Sequence, residues 1–558
     1  MLLAVGLSAP IMAPVPAGAL PTTYFSDDGR QTTDIGGWED IAHDVAIQPD
    51  DKTVVVGRVD VGVENAPHYD FGLTRYNADG SLDPTFAGDG IQTTDIDDRN
   101  DTPTAVAVQT DGKIVVTGYT DGDLALVRYN SNGTLDTSFA SGGMELTDFG
   151  SDFASGSGVA IQSNGKIVAS GTVGTSGAVT SYVVARYNTD GSVDTSFGAG
   201  GHQLTYTGDG ASTAVALQAD DKIVVAGSND SRDFVVVRYD SDGEIDESFS
   251  GDGIQTTEIG EQAYARDVGV QPDGRIVAAG SASSTSSPNG SSSGIALARY
   301  LPDGTLDDTF SGDGTELTER VDTDMSAWGV AIQPDGKIVA GGRSTTGDAG
   351  PDFMLARYGT DGTLDSSFAG DGIQMSGFGP GSGAYAVALR PDGKTTLVGM
   401  SGLDFALARY NADGSLDAAP ADPPTDPPPS TDPEPAPSSS RACTITGNDR
   451  ANVIHGTSGR DVICARGGAD TVYGHGGNDL IFGHRGNDRL IGGAGNDRLH
   501  GAHGRDTLLG GTGRDLLRGG HQRDRLNTLD RVRGNDSAYG GYGNDTCATN
   551  RRDLRRSC

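Results

Sequence analysis

The chain repeats itself, and the repeat decides what it can fold into. Arg-Tyr, followed closely by Asp-Gly or Asn-Gly, recurs at Arg75-Tyr76, Arg128-Tyr129, Arg186-Tyr187, Arg238-Tyr239, Arg299-Tyr300, Arg357-Tyr358 and Arg409-Tyr410. A phrase of the type VAIQPDGKIVVAG also occurs seven times, with Gln48, Gln109, Gln162, Gln218, Gln271 and Gln333 in six copies and Arg390 in the seventh. A third phrase, GDGIQTTDI, begins near residues 28, 88, 141, 199, 251, 312 and 370. A period of this length marks a ring or stack of supersecondary units that bury apolar faces on one another.

Each unit reads as four strands. GIQTTDI is short and partly β-branched. AVAIQ follows, then a P-D-G turn, then KIVVAG. Gly accepts φ > 0 and Asp bonds to the backbone ahead, so such a turn predicts a tight hairpin. After a variable loop comes DFALARY, where Phe405, Leu407 and Arg409 alternate with Ala406, Ala408 and Tyr410, the period of a pleated strand. No pattern predicts a helix of ten residues or more. Seven four-stranded units predict a seven-bladed β-propeller, with a β-solenoid as the alternative. The small Ala and Gly of these strands are expected to let blades approach closely. The order of motifs favours the ring. A lone strand, Gln31–Ile35, precedes the first QPDG unit, and no eighth copy follows Tyr410. That strand can complete the last blade and remove two exposed edges.

Composition narrows the function. The net charge is −37, from 40 Lys+Arg against 77 Asp+Glu. Residues 441–558 carry +5 of their own, so the remainder is strongly acidic. An acidic body repels nucleic acid and anionic membranes. No run of 18 apolar residues exists, so no membrane span is expected. Residues 1–20 hold an apolar stretch ending in Ala17-Gly18-Ala19, which reads as a signal peptide although a positive n-region is missing. The expected location is secreted or at the cell surface.

The repeats of 21–417 resemble the delta-60 repeat, a bacterial β-propeller-like family, most plainly at Ala408–Asp417, ARYNADGSLD. The resemblance implies a fold and an exported habitat, but no chemistry. The repeated arginines are read as an inter-blade ion pair or a bond to a backbone carbonyl, with a ligand-binding ring as the alternative. Asn77-x-Asp79-x-Ser81-x-Asp83 spaces oxygens like the start of an EF-hand loop but lacks the Glu at position 12, which favours an Asx-stabilised turn.

Residues 418–440 hold nine prolines and read as a stiff, solvated linker. Beyond it the period drops to nine. Asp461, Asp470, Asp479, Asp488, Asp497, Asp506, Asp515 and Asp524 form a strict ladder, extended after a break by Asp536 and Asp545. Two residues after each of the first eight stands an aliphatic, from Ile463 to Leu526. Carboxylates and turn carbonyls are hard oxygen ligands suited to Ca²⁺, whereas a disordered glycine-rich tail would not phase its aliphatics. This tail, 441–558, resembles the RTX or haemolysin-type calcium-binding nonapeptide family, which implies a parallel β-roll with Ca²⁺ between turns and these ten aspartates as ligands. His475 and His484 replace the second glycine, and Arg460, Arg505, Arg514 and Arg523 stand next to ladder aspartates. A zinc site among the scattered histidines is disfavoured. The four cysteines are expected to pair locally, Cys443 with Cys464 and Cys547 with Cys558.

The expected protein is therefore all-β: a seven-bladed β-propeller, a Pro-rich linker and a parallel β-roll. Its expected function is a non-enzymatic, exported calcium-binding scaffold with an extracellular protein or glycan as partner. The alternatives are a hydrolase or lyase with its site in the propeller channel, and an adhesive matrix protein. A single asymmetric cluster of Asp, Glu or His at the channel would favour the enzyme. Gly290–Gly294 spells GxSxG around Ser292, but in a Ser-rich loop without the strand–turn–helix a nucleophile elbow needs.

Overall fold

The computed structural model describes residues 25–418 and 445–556, apart from 27, 37–38, 63–67, 98, 176–179, 285–291, 347–350, 379–380, 449, 514, 522, 529–536, 543–545 and 549–553. The expected signal peptide and linker lie outside the described residues. So do Cys443 and Cys558, and with them both expected disulfide pairings; no described cysteine is free. Among the described residues there is no helix, and none long and apolar enough to cross a membrane. The chain forms two compact units.

The first unit is seven four-stranded antiparallel sheets. Blade 1 comprises Asp40–Ile47, Thr53–Asp60, Tyr69–Tyr76 and Ile91–Thr94. The inner strands of the other blades are Asp101–Val108, Phe153–Ile161, Ala211–Leu217, Gln262–Val270, Thr323–Ile332 and Gly383–Leu389. Each inner strand neighbours the next, and the last neighbours the first, so they enclose a channel. Blade 7 is closed by the N-terminal strand Arg30–Thr33, which pairs antiparallel with Ala408–Phe405. The join is apolar: Ala42, Val45, Val55 and Tyr76 of blade 1 share a core with Val398, Phe405 and Leu407 of blade 7.

The repeated letters explain the ring. Arg75 lies over Phe86 at 4.8 Å and donates from Nε to Asp83 at 2.8 Å. Its Nη1 donates to the Ser131 carbonyl of blade 2. Lys52 reaches the same carboxylate at 2.7 Å. All seven copies are built this way, with Arg275 in the lysine's place in blade 5, and the last, Arg409, donates to Asp417 at 2.5 Å and to Ala78 of blade 1 at 2.5 Å. The arginines staple blades together. Gln48 of blade 1 donates to the Gly112 carbonyl of blade 2, and Arg390, in the equivalent place of blade 7, donates to Asp51 of blade 1 at 3.1 Å. Ser81 donates from N and Oγ to Asp79, so this connector is an Asx-type turn with Asp83 held by Arg75.

The small residues let blades approach as expected: a Cβ at Gly341 of blade 6 would strike Leu397 of blade 7. The glycine closing each IVVAG-type strand also serves its own blade. A Cβ at Gly57 would collide with the Ile41 carbonyl of the inner strand, and Gly118, Gly171, Gly227, Gly280, Gly342 and Gly399 are placed alike. Opposite each glycine the inner strand carries a β-bulge, as between Ala42 and Asp44. The extra residue leaves the ladder and its side chain is re-aimed.

The second unit is a roll of two parallel sheets, of seven and six strands, whose neighbours are 18 residues apart as far as Asn527. Ile463, Val472, Ile481, Leu490, Leu499, Leu508, Leu517 and Leu526 are buried in one column between the sheets.

Candidate functional sites

Seven bulged residues, one per blade, face the channel: His43, Thr104, Ser157, Thr213, Arg266, Trp328 and Tyr385. They surround a cavity of about 840 Å³. Fold and position repeat, but the chemistry does not. Blades 2, 3 and 4 supply hydroxyls. Thr104 and Thr213 spend theirs on the next blade, donating to Gly156 at 2.9 Å and Ala265 at 3.1 Å.

Blades 1, 7, 6 and 5 form a continuous run of rings and charge. His43 stands edge-on to Tyr385, centroids 6.5 Å apart, and Tyr385 edge-on to Trp328 at 5.2 Å. Arg266 covers Trp328 at 4.4 Å, and Arg343 lies 5.4 Å from the same ring. The Pro103 carbonyl, 2.6 Å from His43 Nδ1, can only accept, so Nδ1 carries the proton and Nε2 is left as the basic atom. Burial holds the His43 pKa down at about 4, the Pro103 bond opposing this and the Arg58 charge adding to it. Trp328 Nε1 is buried without an acceptor. No carboxylate lies within ion-pair distance of Arg266 or Arg343 among the described residues, and burial followed by the Arg343 charge lowers the Arg266 pKa. Two further acids stand beside bulges, Asp44 and Asp267, where other blades have Ala or Gly. They accept backbone N–H groups of the next blade, Val106 at 2.8 Å and Val330 at 2.7 Å, and burial raises them to about 7 and about 6.

Outside the channel, His68, Asp70 and Asp95 of blade 1 bring three ligand atoms within 4.8 Å of one another. The expectation that the protein is not an enzyme is corrected by these two findings. It rested on the lack of a catalytic motif in its structural context, and the channel ring and the blade 1 cluster are asymmetric groups of reactive side chains that no such motif announces. Ser292 begins the strand Ser292–Tyr300 and no helix follows, so GxSxG is no nucleophile elbow.

In the roll, Asp461, Asp470, Asp479, Asp488, Asp497, Asp506, Asp515 and Asp524 are all buried in two columns. Each Oδ1 from Asp479 to Asp524 accepts the backbone N–H of the ladder aspartate 18 residues earlier, as Asp488 does from Asp470 at 2.8 Å. The Oδ2 atoms of Asp470, Asp479, Asp488, Asp497 and Asp506 are buried with no donor. A Cβ at Gly474 would strike Asp479 Oδ2 and lie 2.5 Å from the Gly492 carbonyl, so glycine there admits two oxygens to one place. Burial raises Asp488 to about 7 and Asp497 and Asp506 to about 6; the Asp506 and Asp470 charges add to the first. Buried, donorless anionic oxygens beside carbonyls fit a hard divalent cation. Asp461 differs, its Oδ2 already accepting from Thr457 Oγ1 at 2.9 Å. Asp536 and Asp545 lie outside the described residues. Sequence reasoning missed two stacks on the sheet faces. His455, Tyr473 and His475 form one, with His455 Nδ1 3.1 Å from His475 Nε2. Phe482, His484 and His500 form the other.

The domain of unknown function (DUF5122) β-propeller model matches residues 48–86, 109–139, 162–197, 218–249, 271–310, 333–368 and 390–419. The RTX calcium-binding nonapeptide repeat model matches 446–481, 473–508, 482–517, 500–529 and 533–551. No curated protein matches in sequence. Solved structures of similar fold include the WD40 propeller domain of Doa1 (13% identity, 70% of this chain and 99% of that one, TM-score 0.39) and a streptogramin B lyase (9%, 68% and 96%, 0.39). A polysaccharide lyase of the PL25 ulvan lyase family is a third (12%, 71% and 96%, 0.38). At these identities the likeness is one of fold. The chain is thus a seven-bladed β-propeller that matches the DUF5122 β-propeller model in every blade, joined to an RTX-type repeat region whose cofactor is Ca²⁺.

Proposed function

We propose that the protein is an exported calcium-binding enzyme whose propeller channel is a hydrolase or lyase site for an anionic chain. One observation carries this reading. In a molecule with nearly two acids per base, Arg266 and Arg343 converge on Trp328 at the channel without a carboxylate partner among the described residues. An aromatic face with unneutralised guanidinium groups suits a ring-bearing anion such as an acidic sugar. His43 Nε2 is the general base, already deprotonated above about pH 4. Tyr385, next to it in the ring, is the proton donor to the leaving group. Arg266 holds substrate charge.

The same reading assigns the ladder aspartates, Asp470 to Asp506 foremost, as the Ca²⁺ ligands of the roll. When bound, Ca²⁺ neutralises the carboxylates and joins successive turns. The chain's own part is to present Oδ2 atoms that nothing else satisfies.

The test is a panel of neutral and anionic polysaccharides incubated with the calcium-loaded protein, followed by reducing ends and by the ultraviolet absorbance of unsaturated sugars. His43→Ala should abolish turnover, and Arg266→Ala should raise KM for anionic substrates alone. Binding without turnover on every anionic member would sink the catalytic reading.

A further inference from the structure

The two faces of the propeller differ. One carries the seven arginine staples and the tight turns. The other carries the variable loops, and there blade 1 departs from its sisters. His68 stands seven residues before the repeat arginine, where the other copies have Asp121, Val179, Ser231, Ser292, Gly350 and Gly402. Its Nε2 lies 3.5 Å from Asp70 Oδ1 and 4.0 Å from Asp95 Oδ1.

The imidazole is held by its backbone. His68 N donates to Asp60 Oδ1 at 3.2 Å, and its carbonyl accepts from Val61 N at 2.8 Å. Asp70 is the second residue of the third strand of blade 1, Tyr69–Tyr76, and Asp95 follows the outer strand, whose Thr94 pairs with Phe71. Strand register therefore fixes both carboxylates. Asp70 is the most buried member of the three. The residue is 7% exposed, and Oδ1, the atom aimed at His68, is buried and accepts no hydrogen bond. A buried anionic oxygen with no donor is costly unless a cation faces it. Asp101, at the start of the blade 2 inner strand, adds a further buried carboxylate close by, with Oδ2 committed to Ile96 N at 2.6 Å.

We propose that His68, Asp70 and Asp95 form a divalent transition-metal site on the loop face of blade 1, separate from both the calcium ladder and the channel. One imidazole nitrogen with two carboxylate oxygens suits Mn²⁺ or Zn²⁺. Ca²⁺ prefers six to eight oxygens, so it should compete poorly here. His68 and Asp95 are partly open to solvent, which leaves coordination positions for water or substrate oxygen. The competing arrangement, a protonated His68 paired to two carboxylates, uses the same geometry but binds no metal.

The experiment uses the full chain with Ca²⁺ in excess, so that the roll is saturated. Mn²⁺ is then titrated and the free ion followed by electron paramagnetic resonance. One bound equivalent is expected. Asp70→Asn and His68→Gln should each weaken it roughly tenfold or more, the scale on which metal sites respond to lost partners. Asp95→Asn alters an exposed side chain and keeps the test decisive if Asp70→Asn fails to fold. Zn²⁺ should displace the bound Mn²⁺. No Mn²⁺ binding above the Ca²⁺-saturated background would overturn the proposal. So would binding that survives in His68→Gln and Asp95→Asn but vanishes in His475→Gln, which would place the metal on the histidine stack of the roll.

Discussion

At the scale of single residues, the aspartates of the propeller fall into two populations. Asp83, Asp136, Asp194, Asp246 and Asp365 would be raised by burial, but hydrogen bonds and neighbouring Lys and Arg charges hold them well below the usual carboxylate range. Asp40, Asp44, Asp267 and Asp404 are raised by burial, the first two to about 7 and the others to about 6. The first population stabilises the fold above the ordinary value of 3.8 and loses that contribution as pH falls. The second stabilises it below 3.8 and loses that contribution as pH climbs through 6 to 7. Thermal unfolding of the calcium-loaded protein should therefore show its highest propeller midpoint near about pH 4–5 and a decline towards pH 8. A midpoint that climbs steadily to pH 8 would contradict this. Arg409→Ala leaves Asp417 buried beside Lys394 alone and removes a bond to blade 1. It should cost about 3–5 kcal/mol in denaturant unfolding. The structural role of these arginines was legible because they repeat with the scaffold. The channel ring was not. Its seven members sit two residues before a repeated valine, and only the bulge, which no letter announces, turns that position inward. The sign available in the sequence was the contrast itself, His, Thr, Ser, Thr, Arg, Trp and Tyr within near-identical surroundings.

Among the elements, the N-terminal strand was the most legible. Counting motifs placed it in blade 7, and the register from Arg30 opposite Ala408 to Thr33 opposite Phe405 agrees. Phe25 also fills the place under Arg409 that Phe86 fills under Arg75. Removing residues 1–36 should lower the unfolding midpoint sharply and expose the edge Asp404–Tyr410; an unchanged midpoint would refute the clasp. The aliphatic column of the roll was equally plain from its phase. The histidine stacks were not, because same-face neighbours are 18 residues apart rather than nine, as His455 is from Tyr473 and Phe482 from His500. For the ladder, replacing Asp479, Asp488 and Asp497 together with Ala should remove most of the heat of Ca²⁺ binding and leave the roll open to protease at any Ca²⁺ concentration. Wild-type calorimetric titration in that triple variant would rule these residues out as ligands.

At the scale of the whole molecule, repetition and function occupy different ground. The staple face repeats its arginine, aspartate and aromatic in all seven blades and holds the ring together. The channel and the loop face vary, and the asymmetric clusters described above stand there. The clasp adds a constraint in time. Thr33 must find Phe405, 372 positions along the chain, so its pairing ranks among the longest-range contacts the fold possesses. A ribosome delivers that strand before every blade and its partner only with the last blade of the ring. Until then blades accumulate as an open arc with an unsatisfied edge at each end. Such an arc is loose enough to be threaded through a narrow conduit, and sticky enough to join a second arc if delayed. A product that stops before blade 7 would leave the Arg30–Thr33 strand without its partner, and is expected to aggregate rather than close as a smaller propeller.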